Sequence, residues 1–433
     1  MINTIIDGEG LINLVEQRQP ISVVEAVKRV TRNRLKRKEE TVHISVSDNR
    51  RLAEAIVAQH PIPNFDKSPY DGFAIRSEDT IGARESPVQF TVVENIGAGQ
   101  IPQKPLQKNE ATRIMTGAQI PEGADCVAMF EMCHTFESGG QSYMLLAQEM
   151  KRGENVIYKG SEVAHHETLV EPGTLINPGV KALLATFGYS EVKVAKKPVV
   201  GIIATGSELL DVDEPLAPGK IRNSNAYMIA SQVIRAGGDY RYFGKLVDEF
   251  DQSYRMIKTK LEEVDMLITT GGVSVGDFDL MPAIYEKLGA QVLFNKVAMR
   301  PGSVTTVAVK DGKLLFGLSG NPSACYVGFE LFARPIIRHA LYSETPFLQR
   351  IKATLAEDFP KSNPFTRYVR SFIVLTDGVV KVFPAGMDKS NVVSSLAKTT
   401  GLMILPSGTS DYRAGDQVEV LLLDDAEGQK HFT

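Results

Sequence analysis

The spacing of apolar positions changes character along the chain. Val23, Val24, Val27 and Val30 recur at helical intervals behind Ser22, with Glu25 three residues on, which predicts a capped helix from about residue 22. Arg32, Arg34, Lys36, Arg37 and Lys38 follow, closed by Glu39 and Glu40, a run that fits a solvated helix end and is assigned no chemistry. Over 61–155 the pieces shorten and become β-like, as in Val88 to Val93, between Pro61, Pro63, Pro69, Pro102, Pro105 and Pro121, which predicts a small β domain on proline-stiffened loops. A helix is expected over 178–187, and Lys196-Lys-Pro198 marks a boundary.

Beyond it, strand and helix patterns alternate. Strands are expected at Val199–Ala204, Tyr240–Leu246, Met266–Thr270, Gln291–Phe294, Thr305–Val309 and Leu314–Leu318, with helices at Ala226–Ala236, Gln252–Glu262 and about Pro322–His339. This alternation implies a doubly wound, mostly parallel sheet with right-handed crossovers. Residues 344–433 return to β patterning, that of a small barrel or sandwich. The expected architecture is multidomain α/β plus β, in four parts: 1–60 with 155–195, 61–154, 196–343 and 344–433.

Composition narrows the function classes. The 433 residues exceed one ordinary core, and 48 basic against 52 acidic side chains leave a net charge of −4, with no global attraction to nucleic acid or anionic membrane. No apolar run approaches the roughly 18 residues of a spanning helix, and Met1 to Gly10 lack a signal-peptide pattern, so a cytoplasmic protein is expected. Cys126, Cys133 and Cys325 form neither an even set nor a CxxC pair and are read as buried thiols; His134, His165 and His166 are read as surface residues.

Ligands of open α/β sheets bind beyond the carboxyl ends of the strands. There the sequence places Thr205, Gly206, Ser207 and Glu208 after one strand; Gly271, Gly272, Ser274 and Gly276 with Asp277 and Asp279 after a second; and Gly320, Asn321 and Pro322 before a helix. Glycines let backbone N–H groups approach an anion, so three such turns point to a phosphorylated ligand. Glu208, Asp248, Asp277 and Asp279 would repel a phosphate unless a cation such as Mg2+ intervened, although Asp277 and Asp248 equally suit helix capping. Lys296 and Arg300, four apart before a Pro-Gly turn, suit an oxyanion. Asp71-Gly72 has the composition of a turn.

Together these stretches resemble the molybdopterin molybdenumtransferase family, the MoeA-type enzymes and the C-terminal domain of gephyrin. F-D-x-S-x-x-D-G-(Y/F)-A matches residues 65–74, R-I-M-T-G 113–117, T-G-x-E-L 205–209, G-G-V-S-x-G-x-x-D 271–279 and G-N-P 320–322. The resemblance implies an elongated homodimer of four-domain subunits that inserts molybdate into adenylylated molybdopterin and releases AMP, the last common step of molybdenum cofactor synthesis. It further implies that Asp279 and Asp248 coordinate Mg2+, that Glu208 orients the ligand or its water, and that Lys296 and Arg300 steer anions. Asp71 and Thr116 would complete the site from the partner subunit, and Arg370, Ser390 and Ser394 would meet pterin or molybdate. A molybdopterin adenylyltransferase and molybdoenzyme chaperones are the protein partners implied.

The chain departs from the common pattern at Arg300, where many relatives carry Lys; at Ser303-Val304; at Ser323, one place before the usual serine; and at Asn223, a frequent Asp. The alternatives are the preceding adenylyltransferase step, against which the segments 61–155 and 344–433 argue, and a non-catalytic gephyrin-like scaffold, against which the carboxylate set argues.

Overall fold

A computed structural model describes residues 19–246, 249–272, 280–423 and 428–432. They form two compact units, one comprising the chain up to Glu54, Pro172–Pro178 and Glu191 onward, the other Ala55–Glu171 and Gly179–Ser190.

In the larger unit, helix α1 (Val23–Arg32) starts as expected, with Ser22 Oγ accepting from Glu25 N at 3.1 Å. The Glu25 carboxylate does not close the capping box but pairs with Arg29, one turn on, at 2.8 Å. Val23, Ala26, Val27 and Val30 are buried.

The central sheet contains β1 (Val199–Thr205), β2 (Asp239–Leu246), β3 (Met266–Thr270), β4 (Gln291–Phe294), β5 (Thr306–Lys310) and β6 (Lys313–Leu318), in the order β2-β1-β3-β6-β5-β4. β2, β1, β3 and β6 are mutually parallel. β5 runs against β6, joined by a hairpin in which Asp311 and Gly312 both take positive φ, 50° and 75°, the Asp-Gly turn that matches strand twist. β4 is antiparallel to β5 and therefore ends on the same edge as β6. Helices α2 (Asn225–Ala236), α3 (Phe250–Glu262) and α4 (Met281–Lys287) link the strands. Alternating side chains feed two cores: Ile202, Ile268 and Phe316 pack with Ile229, Val233 and Ile336, whereas Ile203, Leu267 and Leu315 pack with Ile257, Leu261 and Ile284. Each such burial contributes about 1.5–3 kcal/mol.

The final predicted helix is divided. α5 (Pro322–Gly328) and α6 (Arg334–Ala340) flank a π turn, Phe329–Ala333, in which Arg334 N–H reaches back to Phe329 O. Pro335 has no N–H for the carbonyl of Leu331, so the ladder loosens there.

After it, β7 (Arg350–Leu355), β8 (Thr366–Thr376), β9 (Val379–Pro384), β10 (Gly401–Leu405) and β11 (Gln417–Leu422) close on themselves, β8 pairing with both β9 and β10. The result is a five-stranded barrel rather than a sandwich, filled by Leu355, Val369, Val382, Met403, Leu405 and Val420. Closure removes unpaired edges. Met299–Arg300 adds to β8, with Arg300 opposite Arg367.

The smaller unit holds a six-stranded sheet whose members include Gly72–Ile75, Val88–Ile96, Glu110–Ile114 and Cys126–Met129. Its core is Phe73, Ile75, Phe90, Ala128, Met144 and Leu146. Gly72 is no turn residue: it opens a strand so close to its neighbour that a Cβ would stand 2.1 Å from Ala128 O. Cys126 and Cys325 are buried, whereas Cys133 is only partly so, on a strand whose residues are exposed or half-buried. No helix among the described residues is long and apolar enough to cross a membrane.

Candidate functional site

β1, β3 and β6 end side by side, with Ala204 opposite Thr270 and Thr270 opposite Leu318. The chain leaves them in contact. Thr205 Oγ1 donates to Thr270 O at 3.0 Å, and Gly271 N donates to Leu318 O at 2.9 Å. Sterics demand the glycines. Gly271 and Gly272 have φ of +88° and +65°, and Cβ atoms there would lie 2.7 and 3.0 Å from Thr205 Oγ1. At Gly206, φ +134°, a Cβ would meet the Glu208 carboxylate at 2.5 Å. Gly320 is close too, a Cβ there falling 3.5 Å from Gly271 Cα. The turns carrying Thr205, Gly206, Ser207 and Glu208, then Gly271 and Gly272, then Gly320, Asn321 and Pro322 therefore form one continuous patch, with Ser207, Glu208, Gly320 and Asn321 exposed.

Two asparagines support this patch. Asn225 is 7% exposed and donates through Nδ2 to Gly320 O at 2.8 Å, holding the third turn from the start of α2. Asn223 accepts from Ala226 N at 3.2 Å and donates to Tyr242 Oη at 2.9 Å. A carboxylate could accept both bonds, the second from Tyr242 Oη–H, but would bury a charge that the neutral amide does not.

Lys296 and Arg300 lie on a segment fixed at several points. Ile21 N donates to Lys296 O at 3.2 Å and Val297 N to Ser303 O at 2.8 Å, while a Cβ on Gly302 would lie 3.2 Å from Ala324 O in the first turn of α5. Lys296 is half-buried and Arg300 exposed, and among the described residues neither charged group has a hydrogen-bond or ion-pair partner. Both remain open to an anion.

The barrel contributes a loop to the same neighbourhood. Ser323, at the start of α5, donates its N–H to Ser390 O at 3.0 Å and its Oγ to Val392 O at 2.5 Å. Arg370 builds that loop from beneath. It is 2% exposed; Nε donates to Ser395 Oγ, one terminal nitrogen to Asp388 and the other to Met387 O and Lys389 O, all at 3.1–3.2 Å. Burial pulls its pKa below the ordinary guanidinium value despite the opposing attraction of Asp388. Arg367 adds an ion pair to Asp388 at 2.7 Å and a bond to Asn363 Oδ1 at 2.7 Å. Arg370 thus holds the loop, Ser390 offers its carbonyl to Ser323, and Ser394 is exposed at the head of a 3-10 turn. Sequence reasoning missed Arg367, Asp388 and Asn363, which no periodicity or motif marks, and Asn225, whose carbonyl partner is 95 residues away.

In the smaller unit, Asp71 Oδ1 accepts from Thr116 N at 2.7 Å and from Thr116 Oγ1 at 3.1 Å. The two motifs, 45 residues apart in sequence, make one exposed acidic corner, steadied by buried Ser68, whose Oγ donates to Tyr70 O at 2.6 Å. Asp248, Ser274, Gly276, Asp277 and Asp279 lie outside the described residues. Among those described, no group of three or more His, Cys, Asp or Glu could hold a metal ion.

Comparison with known proteins decides the family. Residues 21–188 match the family described as "MoeA N-terminal region (domain I and II)", 201–339 "Probable molybdopterin binding domain" and 352–423 "MoeA C-terminal region (domain IV)". A molybdopterin molybdenumtransferase of Bacillus subtilis (strain 168) is 54% identical over 418 residues, 96% of this chain and 97% of that relative. The chain belongs to the MoeA family. A second relative of the same name, from Staphylococcus aureus (strain N315), is 48% identical over 95% of this chain and 97% of its own. The crystal structure of a MoeA protein of Pyrococcus horikosii superposes with a TM-score of 0.84 at 28% identity, covering 94% of this chain and 99% of that one. On the MoeA framework, the strand-end patch falls in the central match, the Asp71–Thr116 corner in the N-terminal match and the Arg370 loop in the C-terminal one.

Proposed function

We propose that the chain is a molybdopterin molybdenumtransferase, inserting molybdate into adenylylated molybdopterin with release of AMP in molybdenum cofactor biosynthesis. The observation that carries this reading is the patch in which three glycine-bearing turns touch at adjacent strand ends, beside a segment offering two cations that have no partner among the described residues. Such backbone suits a diphosphate, and the cations suit an oxometal dianion.

In this reading the turns at Gly206, Gly271 and Gly320 hold the diphosphate, Thr205 keeps the first two turns in contact through its bond to Thr270 O, Ser207 hydrogen-bonds to the ligand, and Glu208 orients the ligand or its water. Lys296 and Arg300 draw molybdate toward the dithiolene. Asp248 and Asp279, the latter with Ser274 and Gly276 shortly before it in sequence, would hold Mg2+, which takes oxygen donors of this kind. When bound, the ion offsets the charge of the diphosphate. No covalent nucleophile is required; positioning and charge stabilisation suffice. A second copy of the chain supplies Asp71 and Thr116, and the barrel loop at Ser390 and Ser394 borders the molybdate end.

The test is AMP release from adenylylated molybdopterin and Mg2+, followed chromatographically before and after molybdate is added. Molybdate-dependent release that is lost in Asp279→Asn is expected. Undiminished release by that variant would overturn the site, and accumulation of adenylylated molybdopterin from molybdopterin and Mg-ATP would overturn the reaction.

A further inference from the structure

The basic run ending at Lys38, to which the sequence pattern gives no chemistry, meets two other lysine-bearing segments in the fold. Lys196 N donates to Lys38 O at 2.8 Å, so the two stretches run alongside each other. Lys36, Lys38, Lys196, Lys197 and Lys313 line one cavity of about 150 Å3, in which Asp265 is the single acidic member. Five lysines against one carboxylate concentrate positive charge on a chain whose net charge is −4. The cavity lies where β1 and β6 begin, on the edge of the sheet opposite the glycine turns.

The charges there are unevenly compensated. Asp265 is already engaged, its Oδ1 accepting from Lys38 Nζ and its Oδ2 from Val199 N, both at 2.8 Å. Lys313 Nζ donates to Leu261 O at 2.6 Å and Glu262 O at 3.2 Å, which pins it at the end of α3. Lys197 reaches Asp239 only at 3.6 Å, between partly exposed side chains. The ammonium groups of Lys36 and Lys196 have no partner among the described residues.

We propose that this cavity binds a small, multiply charged oxyanion of the phosphate class, held chiefly by Lys36 and Lys196 with Lys38 and Lys313 beside them. The cavity opens to solvent on one side and its lining offers cationic rather than aromatic partners, which suits a compact anion such as phosphate or pyrophosphate. The site is independent of the strand-end patch, sharing no residue with it.

The competing account is that these lysines only complement the negative ends of α3 and α6. Lysine acetylation of the full chain, read by peptide mass spectrometry with and without inorganic pyrophosphate at matched ionic strength and without Mg2+, separates the two. At ten times the dissociation constant, occupancy slows Lys36 and Lys196 labelling about tenfold, while exposed Lys258 is unaffected. That protection persists in Lys296→Ala/Arg300→Ala, which removes the cations of the other site. A Lys36→Ala/Lys196→Ala variant, titrated calorimetrically with pyrophosphate, loses one binding event and keeps molybdate-dependent AMP release. Equal labelling of Lys36 and Lys196 with and without pyrophosphate, or unchanged stoichiometry in the double variant, would overturn the proposal.

Discussion

Ser323 donates its backbone N–H to the carbonyl oxygen of Ser390 at 3.0 Å, tying the first turn of α5 to a barrel loop 67 residues later. Its Oγ makes a second bond, to Val392 O at 2.5 Å. Ser323→Ala removes the second bond and leaves a carbonyl short of a partner, a loss of about 1 kcal/mol. A lowered unfolding midpoint with a raised KM for molybdate and little change in kcat is expected; thermal unfolding and steady-state kinetics check both parts.

Asp388 lies between two buried guanidiniums, 2.7 Å from that of Arg367 and 3.2 Å from that of Arg370. Removing it strands both charges. Asp388→Ala should destabilise the chain by about 3–5 kcal/mol, read as a shifted urea midpoint, and Asp388→Asn by less because the amide oxygen still accepts.

Gly72→Ala sets a methyl 2.1 Å from Ala128 O, a backbone atom that can yield only by parting two strands. A cost of about 1–3 kcal/mol is expected. Gly97→Ala, whose Cβ would first meet the Gln100 side chain at 3.6 Å, is the control and should leave thermal stability nearly unchanged.

His339 is held neutral, its pKa pushed down from 6.5 to about 4, first by burial and then by the charges of Arg34 and Arg37, with Glu344 opposing. Between these values the unfolded chain binds a proton that the folded chain does not, so this contribution to stability is lost as pH falls from about 6.5 to about 4. Melting temperatures measured across that window should fall more steeply for the natural chain than for His339→Gln.

Asp71 and Thr116 are both exposed, so Asp71→Ala should change stability by no more than roughly 0.5 kcal/mol. If the corner serves catalysis in a partner subunit, AMP release should fall by roughly 100-fold with unfolding unchanged. A variant as active as the natural chain would remove Asp71 from the site.

The order of strands and helices was legible, α4 (Met281–Lys287) excepted, because period, caps and breakers act locally: Ser22 caps α1, and Gly237 ends α2 at φ +97°. The glycine turns were legible for the same reason, since positive φ leaves its mark in residue type. Legibility failed where a partner is remote. That Gly72 is pressed against Ala128 and that Cys133 stays half-exposed depend on neighbours which no local pattern reveals.

By itself, then, the sequence determined the alternation of elements, the edge on which the turns gather and the kinds of group found there, because backbone preference and side-chain chemistry belong to residues. Only the tertiary structure decided that the barrel closes, that Asn225 supports Gly320, that Arg370 holds a loop rather than standing open, and that five lysines share a cavity. Each of those facts is a distance between residues far apart in the chain, and packing sets such distances.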